Sequence, residues 1–155
     1  MTYPSPIGNL ELAFDGTALT ALQLARNPSS LSSTIFTSTT SSSSLQSVCH
    51  WLDTYFSSRK PNFLPPLRPH GTPFQLRVWQ ELLKIPYGHT VTYGALARRV
   101  GCRSAQAVGQ AVGHNPIAII IPCHRVVSTQ GLGGYAYGTD TKKYLLHMEH
   151  NTLQQ

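Results

Sequence analysis

Three reactive side chains stand together where an apolar run ends. The segment NPIAIIIPCHRVV, residues 115–127, passes from isoleucines through Pro122 to Cys123, His124 and Arg125. A cysteine becomes a nucleophile as its thiolate, and an adjoining proton acceptor or cation favours that form. The segment therefore indicates nucleophilic chemistry at Cys123. A buried, inert cysteine is the alternative that these residues alone leave open.

Two flanking features could build a pocket around this cysteine. The apolar run before Pro122 predicts a buried strand, which would bring the thiol to the rim of a core. Behind it, residues 131–138 read GLGGYAYG, a loop that could wrap a flat ligand. Its tyrosines can offer a ring face or a hydroxyl group to that ligand.

The elements upstream of the cysteine predict a helix-turn-helix. Thr72 and Pro73 are suited to cap and begin a first helix, which comes before the two helices of this motif. A short helix around residues 92–100 should end at Gly101, and a second should begin after Ser104. Small residues on that second helix would permit close approach to a DNA groove or close packing on another helix. These residues are Ala105, Ala107, Gly109 and Ala111.

The first part of the chain reads differently. Two apolar runs around Asp15-Gly16 predict a β-hairpin. The uncharged, serine- and threonine-rich segment 27–44 is expected to be a loop, with or without a weak strand. Residues 45–58 have helical spacing, and the proline-rich segment 59–73 is a linker. We therefore expect two domains, residues 1–65 and 66–155.

Composition limits the class of protein. Twelve Lys and Arg against six Asp and Glu give a net charge of +6, which favours a polyanionic partner such as nucleic acid. The three cysteines form no CxxC pair, so neither a disulfide framework nor a structural zinc site is expected. The sequence contains no signal-peptide pattern and no apolar stretch of membrane-spanning length. An intracellular, cytoplasmic protein without membrane contact is the expectation.

Together these segments resemble the O6-alkylguanine-DNA alkyltransferases, also called methylated-DNA–protein-cysteine methyltransferases. The resemblance rests on NPIAIIIPCHRVV, on GTPFQLRVWQELLKIPYGHTVTYGALA upstream and on GYAYG and KKYLLHME downstream. It covers residues 70–150 closely and residues 1–60 loosely. It implies an α+β fold, with a small ribonuclease-H-like α/β domain before a mostly helical domain that carries the helix-turn-helix.

The resemblance also implies an activity. Such proteins bind duplex DNA through the minor groove, flip the damaged guanine into a pocket and transfer its O6-alkyl group irreversibly to a cysteine. They use no cofactor, and each molecule acts once. The cysteines and histidines that form a zinc site in some members are absent here, so no metal is expected. The expected partner is DNA carrying O6-alkylguanine, with O4-alkylthymine as a further candidate, and the expected state is a monomer.

Site residues follow from the matching positions. Cys123 matches the alkyl acceptor, His124 the base that removes the thiol proton through a water, and Glu149 the carboxylate that holds the imidazole. Asn115 matches the residue that braces the turns of the site, and Arg125 fits a structural anchor. The residues expected to contact DNA or the flipped base are Tyr93, Arg103, Ala105, Gln106, Gly109, Tyr135, Ala136 and Tyr137.

The chain departs from the family pattern at several of these positions. Gln106 stands where an arginine commonly fills the gap left by the flipped base, and Arg103 is a second candidate for that role. Ala136 replaces a serine or other small residue, Tyr137 replaces a glycine, and the loop before Tyr135 is one residue short. These differences concern substrate range and base flipping rather than the reaction.

Two other functions remain open at this point. A lesion-binding protein of the same fold would lack transfer activity, but its relatives replace the cysteine that this chain retains. A cysteine hydrolase using Cys123 and His124 would need an oxyanion hole and repeated turnover. Stoichiometric transfer, binding alone and catalytic release distinguish the three functions.

Overall fold

The computed structural model describes residues 2–25 and 42–153. The chain divides into two compact units, Met1–Pro69 and His70–Gln155. A loop or weak strand was predicted for the serine- and threonine-rich segment 27–44, and residues 27–41 of it lie outside the described residues. Residues 42–44 belong to a helix instead, which begins at Ser42.

The first unit contains an antiparallel three-stranded sheet and one helix. Its strands are Thr2–Ser5 (β1), Gly8–Phe14 (β2) and Leu19–Leu24 (β3), in the order β1-β2-β3. The helix Ser42–Phe56 (α1) packs against β3. Apolar residues that alternate along β2 and β3 form the buried core with residues of α1, as expected for a sheet with one covered face. These core residues are Leu10, Leu12, Leu19, Leu22, Val48, Leu52 and Tyr55.

The hairpin predicted around Asp15-Gly16 is present between β2 and β3. The Asp15 carboxylate accepts the N–H groups of Thr17 and Ala18 at 3.0 and 2.9 Å. Gly16 has a φ of 108°, a conformation that glycine adopts without steric cost. The local turn chemistry was therefore sufficient to predict this connection.

The second unit is mostly helical. Its helices are Pro73–Leu83 (α2), Tyr93–Val100 (α3), Ala105–Gly113 (α4) and Thr139–Leu153 (α5). Two short strands, Val91–Thr92 (β4) and Val126–Val127 (β5), pair in parallel. Over the part of the chain that the structure describes, no helix is both long enough and apolar enough to cross a membrane.

Local capping chemistry sets the bounds of these helices. Thr72 caps α2 by accepting the Gln75 N–H, and the Gln75 side chain accepts the Thr72 N–H in return. Ser104 caps α4 by accepting the Ala107 N–H with its hydroxyl oxygen. Gly101 ends α3 in the left-handed conformation, with a φ of 71°. The predicted helix-turn-helix is confirmed.

The buried strand predicted before Pro122 is wrong. Residues 117–121 are buried, but they follow turns and bends, and Ile119 has a φ of 71°. The Asn115 side chain imposes these turns, because its oxygen accepts the Ile117 N–H at 3.0 Å and its amide donates to the Ile121 carbonyl at 2.8 Å. One polar side chain thus overrides the strand preference of the β-branched isoleucines.

Candidate active site

Cys123 begins a single 3-10 turn, Cys123–Arg125, which sends three successive side chains to different places. The thiol is 8% exposed and lines a pocket, whereas His124 and Arg125 both reach Glu149 on α5. Adjacent residues on a strand would point to opposite faces. The tight turn instead sends the thiol to the pocket and the next two side chains to Glu149.

Asn115 holds the thiol as well as the preceding turns. Its side chain hydrogen-bonds Cys123 in addition to the backbone of Ile117 and Ile121. The amide therefore fixes the position of the sulfur relative to the buried isoleucines. This placement agrees with the bracing role expected for Asn115.

Glu149 is the centre of a buried hydrogen-bonded cluster. Its Oε2 faces Nε2 of His124, and its Oε1 accepts the Arg125 Nε–H at 2.7 Å and the Gly88 N–H at 3.1 Å. A second guanidinium nitrogen of Arg125 donates to the Ile85 carbonyl at 2.9 Å. An ionised carboxylate only accepts hydrogen bonds, so the proton of a neutral imidazole lies on Nε2 and Nδ1 is the acceptor nitrogen.

Burial and neighbouring charges shift the pKa values of Glu149 and His124. Contacts with His124 and Arg125 outweigh burial and lower the pKa of Glu149 to about 2, so the carboxylate is ionised. Burial lowers the pKa of His124 despite the opposing effect of Glu149, and the charges of Arg125 and Lys142 lower it further. His124 is therefore a neutral imidazole at physiological pH, the form that can accept a proton.

The pKa of the Cys123 thiol is shifted in the opposite direction to that of His124. Burial raises the pKa of Cys123 above its usual range, although the Asn115 hydrogen bond and the charge of Lys142 lower it in part. Little thiolate forms spontaneously at neutral pH under these conditions. A nearby base is therefore needed for nucleophilic attack.

The pocket beside Cys123 has a volume of about 360 Å³. This volume is at the lower end of the range for small-molecule sites. Tyr135 and Tyr137 form an edge-to-face pair on its loop side, with ring centroids 5.5 Å apart. Tyr93, Gly109 and Ala136 also line it, and their contact with DNA or a flipped base stays a prediction. The complete lining is Tyr93, Gly109, Val112, Gly113, Asn115, Cys123, Gly134, Tyr135, Ala136 and Tyr137.

The remaining predicted contacts are outside this pocket. Arg103, Ala105 and Gln106 lie exposed in the turn before α4 and in its first turn. Arg98 and Arg99 are exposed in the last turn of α3. The helix-turn-helix therefore carries an exposed basic surface, while Gly109, farther along α4, faces the pocket.

Comparison with family models covers both units. Residues 1–69 match the model described as "6-O-methylguanine DNA methyltransferase, ribonuclease-like domain", and residues 73–151 match "6-O-methylguanine DNA methyltransferase, DNA binding domain". The chain belongs to the 6-O-methylguanine DNA methyltransferase family. The resemblance found in the sequence and the α+β fold that it implied are thereby confirmed.

Individual relatives agree with this membership. A methylated-DNA–protein-cysteine methyltransferase of Mycobacterium tuberculosis is 44% identical over 150 residues, which are 96% of this chain and 90% of the relative. One from Methanosarcina mazei is 48% identical over 109 residues, 69% of each chain. The crystal structure of Mycobacterium tuberculosis OGT in complex with DNA has a TM-score of 0.84 and 42% identity, covering 97% of this chain and 92% of that one.

Lys142 and Gly88 were not predicted from the sequence as parts of the site. Lys142 is fully buried, and its ammonium group donates to the carbonyls of Val126 at 2.6 Å and Gly134 at 3.1 Å. A signal was available, because Lys142, Leu145 and Glu149 recur at the i, i+3, i+7 spacing of one helix face. Two charges at core positions of a helix are unusual unless each has partners.

Lys142 joins the glycine-rich loop of this methyltransferase-family site to β5. The Gly134 carbonyl that it contacts also accepts the Tyr93 hydroxyl at 3.5 Å. Gly88 was the other omission, because its contribution to the site is a backbone N–H. Nothing in a residue's type predicts such a contact.

Proposed function

We propose that this chain repairs DNA by transferring the alkyl group of O6-alkylguanine to Cys123 in one irreversible step. The observation that carries the proposal is that Cys123 lines a base-sized pocket while the next residue, His124, is paired with the buried carboxylate of Glu149. A thiol with a raised pKa, a neutral imidazole and an ionised carboxylate form a nucleophile, a base and an orienting group.

The proton moves first. His124 Nδ1 accepts the thiol proton of Cys123 through a bridging water, and Glu149 stabilises the resulting imidazolium through Nε2. Arg125 keeps Glu149 ionised and in place. The positive charge of Lys142 favours the thiolate that remains.

The alkyl transfer balances without a cofactor. The thiolate attacks the alkyl carbon, a sulfur–carbon bond forms and the O6–carbon bond breaks, with its electron pair going to the guanine. The guanine takes up the proton that His124 had accepted, so the imidazole becomes neutral again and the normal base leaves. The sulfur–carbon bond of the neutral thioether is not readily cleaved, because a thiolate would have to leave. Cys123 is therefore not regenerated, and each molecule reacts once.

The pocket requires an extruded base. A guanine within a duplex cannot reach a thiol that is 8% exposed, so the nucleotide must leave the stack. A volume of about 360 Å³ suits one base with a small alkyl group. We assign DNA binding and transfer to the second unit, acting as a monomer in the cytoplasm on O6-alkylguanine and, as a second substrate, O4-alkylthymine.

The other site residues have supporting roles in this proposal. Tyr93 contacts the flipped nucleotide, and Tyr135, Ala136 and Tyr137 form the wall beside the base. Gly109 lets the base pass close to α4. Ala105 and the pair Arg103 and Gln106 act on the DNA outside the pocket, where one member of that pair fills the gap in the stack.

Titration with a duplex that carries O6-methylguanine tests the proposal. We expect one methyl group per protein molecule, found by mass spectrometry on the peptide containing Cys123, with no further turnover. Cys123→Ser should abolish transfer and leave DNA affinity within about twofold, because the thiol supplies chemistry rather than phosphate contacts.

The other two cysteines supply matched controls. Cys49 and Cys102 are free, half-buried thiols, and their replacement by alanine should leave the stoichiometry at one. Methyl groups on either of them would contradict the assignment. Binding without transfer would identify a lesion-binding protein, and release of product with turnover would identify a hydrolase.

A further inference from the structure

The turn after α2 contacts both members of the buried ion pair of Arg125 and Glu149. Three of its residues, Ile85, Tyr87 and Gly88, are called the carboxylate clamp below. Ile85 accepts a guanidinium N–H with its carbonyl at 2.9 Å, and Gly88 donates its N–H to Glu149 Oε1 at 3.1 Å. One short segment thus contacts both charges of the pair.

Tyr87 is the only member of the clamp that acts through its side chain. The Arg125 guanidinium lies over its ring, 5.6 Å from the centroid, and the tyrosine is 5% exposed. Its hydroxyl donates to Thr152 Oγ1 at 3.1 Å, and Thr152 in turn donates to the Met148 carbonyl on α5. The ring therefore touches the cation, and the hydroxyl touches the helix that carries Glu149.

The last turn of α5 closes the other side of the clamp. A Cβ at Gly88 would lie 2.2 Å from Leu153 Cδ1, so this glycine and this leucine are in close contact. Gly88 also has a φ of 79°, which aims its N–H at the carboxylate without strain. The clamp and the end of α5 therefore fit together with little free space.

The position of the carboxylate matters for the base. With Oε1 held by Arg125 and Gly88, Oε2 is left to face His124 Nε2. A rotation of the carboxylate would release the imidazole from the orientation that presents Nδ1 as the acceptor. Misplacement of a reacting group by an ångström can cost a large part of the rate.

We propose that Tyr87 is a positioning residue for the transfer reaction: its ring holds the Arg125 guanidinium against Glu149, which in turn fixes the imidazole of His124. The inference rests on the proposed function. Tyr87 is not among the residues that line the substrate pocket, and its ring meets the site at the Arg125 guanidinium. The aromatic face is the required feature, and the hydroxyl is secondary.

Three variants separate the ring from other effects. Tyr87→Leu removes the aromatic face, and Tyr87→Phe keeps the face and loses only the hydroxyl. Val100→Ala is a matched control, because it removes buried apolar volume at the end of α3, outside the clamp and the pocket. The protein is tested as the full chain with free O6-methylguanine, because the control lies in the helix-turn-helix and a duplex assay would also report DNA binding.

Two readouts are measured for each variant. The first is the rate of methyl transfer, which should fall on the order of tenfold in Tyr87→Leu and stay within about twofold in Tyr87→Phe. The second is the far-downfield proton NMR signal expected for the His124 Nε2–H facing Glu149. It should move or broaden in Tyr87→Leu only, with Val100→Ala like the parent protein on both readouts.

The outcomes distinguish the two proposals. A parent protein that never methylates Cys123 would overturn the proposed function. Normal transfer by the parent protein with an unchanged rate and imidazole signal in Tyr87→Leu would overturn the role of Tyr87 alone. An equal loss in Tyr87→Leu and Val100→Ala, with no change of the signal, would show a structural effect and also overturn it.

Discussion

Burial holds both Cys123 and His124 in their uncharged forms, and this sets the reactivity of the thiol. Burial raises the pKa of the thiol, and burial lowers the pKa of His124, so at neutral pH the pair consists of a thiol and a neutral base. This is the ground state from which proton transfer can begin. A site with a spontaneous thiolate would instead expose a reactive sulfur at all times.

The pH dependence of transfer follows from these two directions. Because the pKa of His124 lies below the usual value of about 6.5, the base stays neutral into mildly acidic solution, and the rate should fall only below pH 6.5. In His124→Asn the thiol must ionise alone, so the rate should rise about tenfold per pH unit to beyond pH 9. Single-turnover rates from pH 5 to 10 check both limbs. A half-maximal rate above pH 6.5 in the parent protein would contradict this account.

Tyr137 should restrict the size of the alkyl group. Its ring lines the pocket and packs edge-to-face against Tyr135, which leaves little room on the loop side. We expect O6-benzylguanine to react poorly as a free base, and Tyr137→Gly to raise its rate by roughly tenfold with little change for methyl. Competition between the two substrates measures the ratio.

The exposed Tyr144, which lies outside the pocket, is the control for this substitution. Tyr144→Ala should leave the benzyl-to-methyl ratio unchanged. If Tyr137→Gly also left that ratio unchanged, the ring would not be the barrier, and the size limit would lie elsewhere in the pocket.

Among the elements, those whose ends are fixed by local chemistry could be predicted from the sequence. Thr72, Ser104 and Gly101 bound their helices through caps that involve residues at most four positions away. The turns at 116–121 could not be predicted in this way. Their apolar residues favour a strand, and the outcome depends on how one amide, that of Asn115, is used.

The site shows the same division between local and distant contacts. The reactive residues Cys123 and His124 were visible as neighbours in the sequence. Glu149 was found only through the family resemblance, because it contacts His124 across 25 positions. The backbone donor Gly88 is 61 positions from Glu149 and had no signal in its residue type.

The first turn of α4 should decide how well a flipped base is held out of the duplex. Gln106 is exposed there, and glutamine stacks less than arginine and adds no charge. Extrusion costs a few kcal/mol. We therefore expect Gln106→Arg to speed transfer from methylated duplex by several-fold, on the order of 1 kcal/mol in activation free energy, and to leave the reaction with free O6-methylguanine unchanged.

Arg103 is the alternative residue for the same gap. It is exposed just before α4, one residue from the Ser104 cap. If Arg103→Ala slowed duplex repair more than Gln106→Ala did, Arg103 would be the gap-filling residue. If every variant repaired duplex DNA at the rate of the parent protein, neither residue would have a role in flipping.

At the scale of the whole molecule, charge governs the encounter with DNA. The net charge is +6, and three exposed arginines, Arg98, Arg99 and Arg103, border the helix-turn-helix. The logarithm of duplex affinity should fall linearly with the logarithm of salt concentration, with a slope near −0.9 for each phosphate contacted. Loss of one of these arginines should reduce the slope by about one.

Arg68 provides the comparison for this measurement. Its guanidinium is already paired with the Asp15 carboxylate in the first unit. Arg68→Ala also removes one positive charge, yet it should leave the salt slope unchanged. Equal effects of Arg68→Ala and Arg98→Ala would mean that total charge, rather than the basic surface of the helix-turn-helix, determines binding.

The burial of Lys142 allows chemical labelling to report whether the site of this protein is folded. Lys142 is fully enclosed, and Lys143, the next residue, is exposed. An amine-acylating reagent will therefore mark Lys143 in the intact protein and both lysines once α5 has left its site. Since both marks fall within one peptide, their ratio counts the fraction of molecules that still have an assembled centre, whatever the concentration of protein and without any DNA.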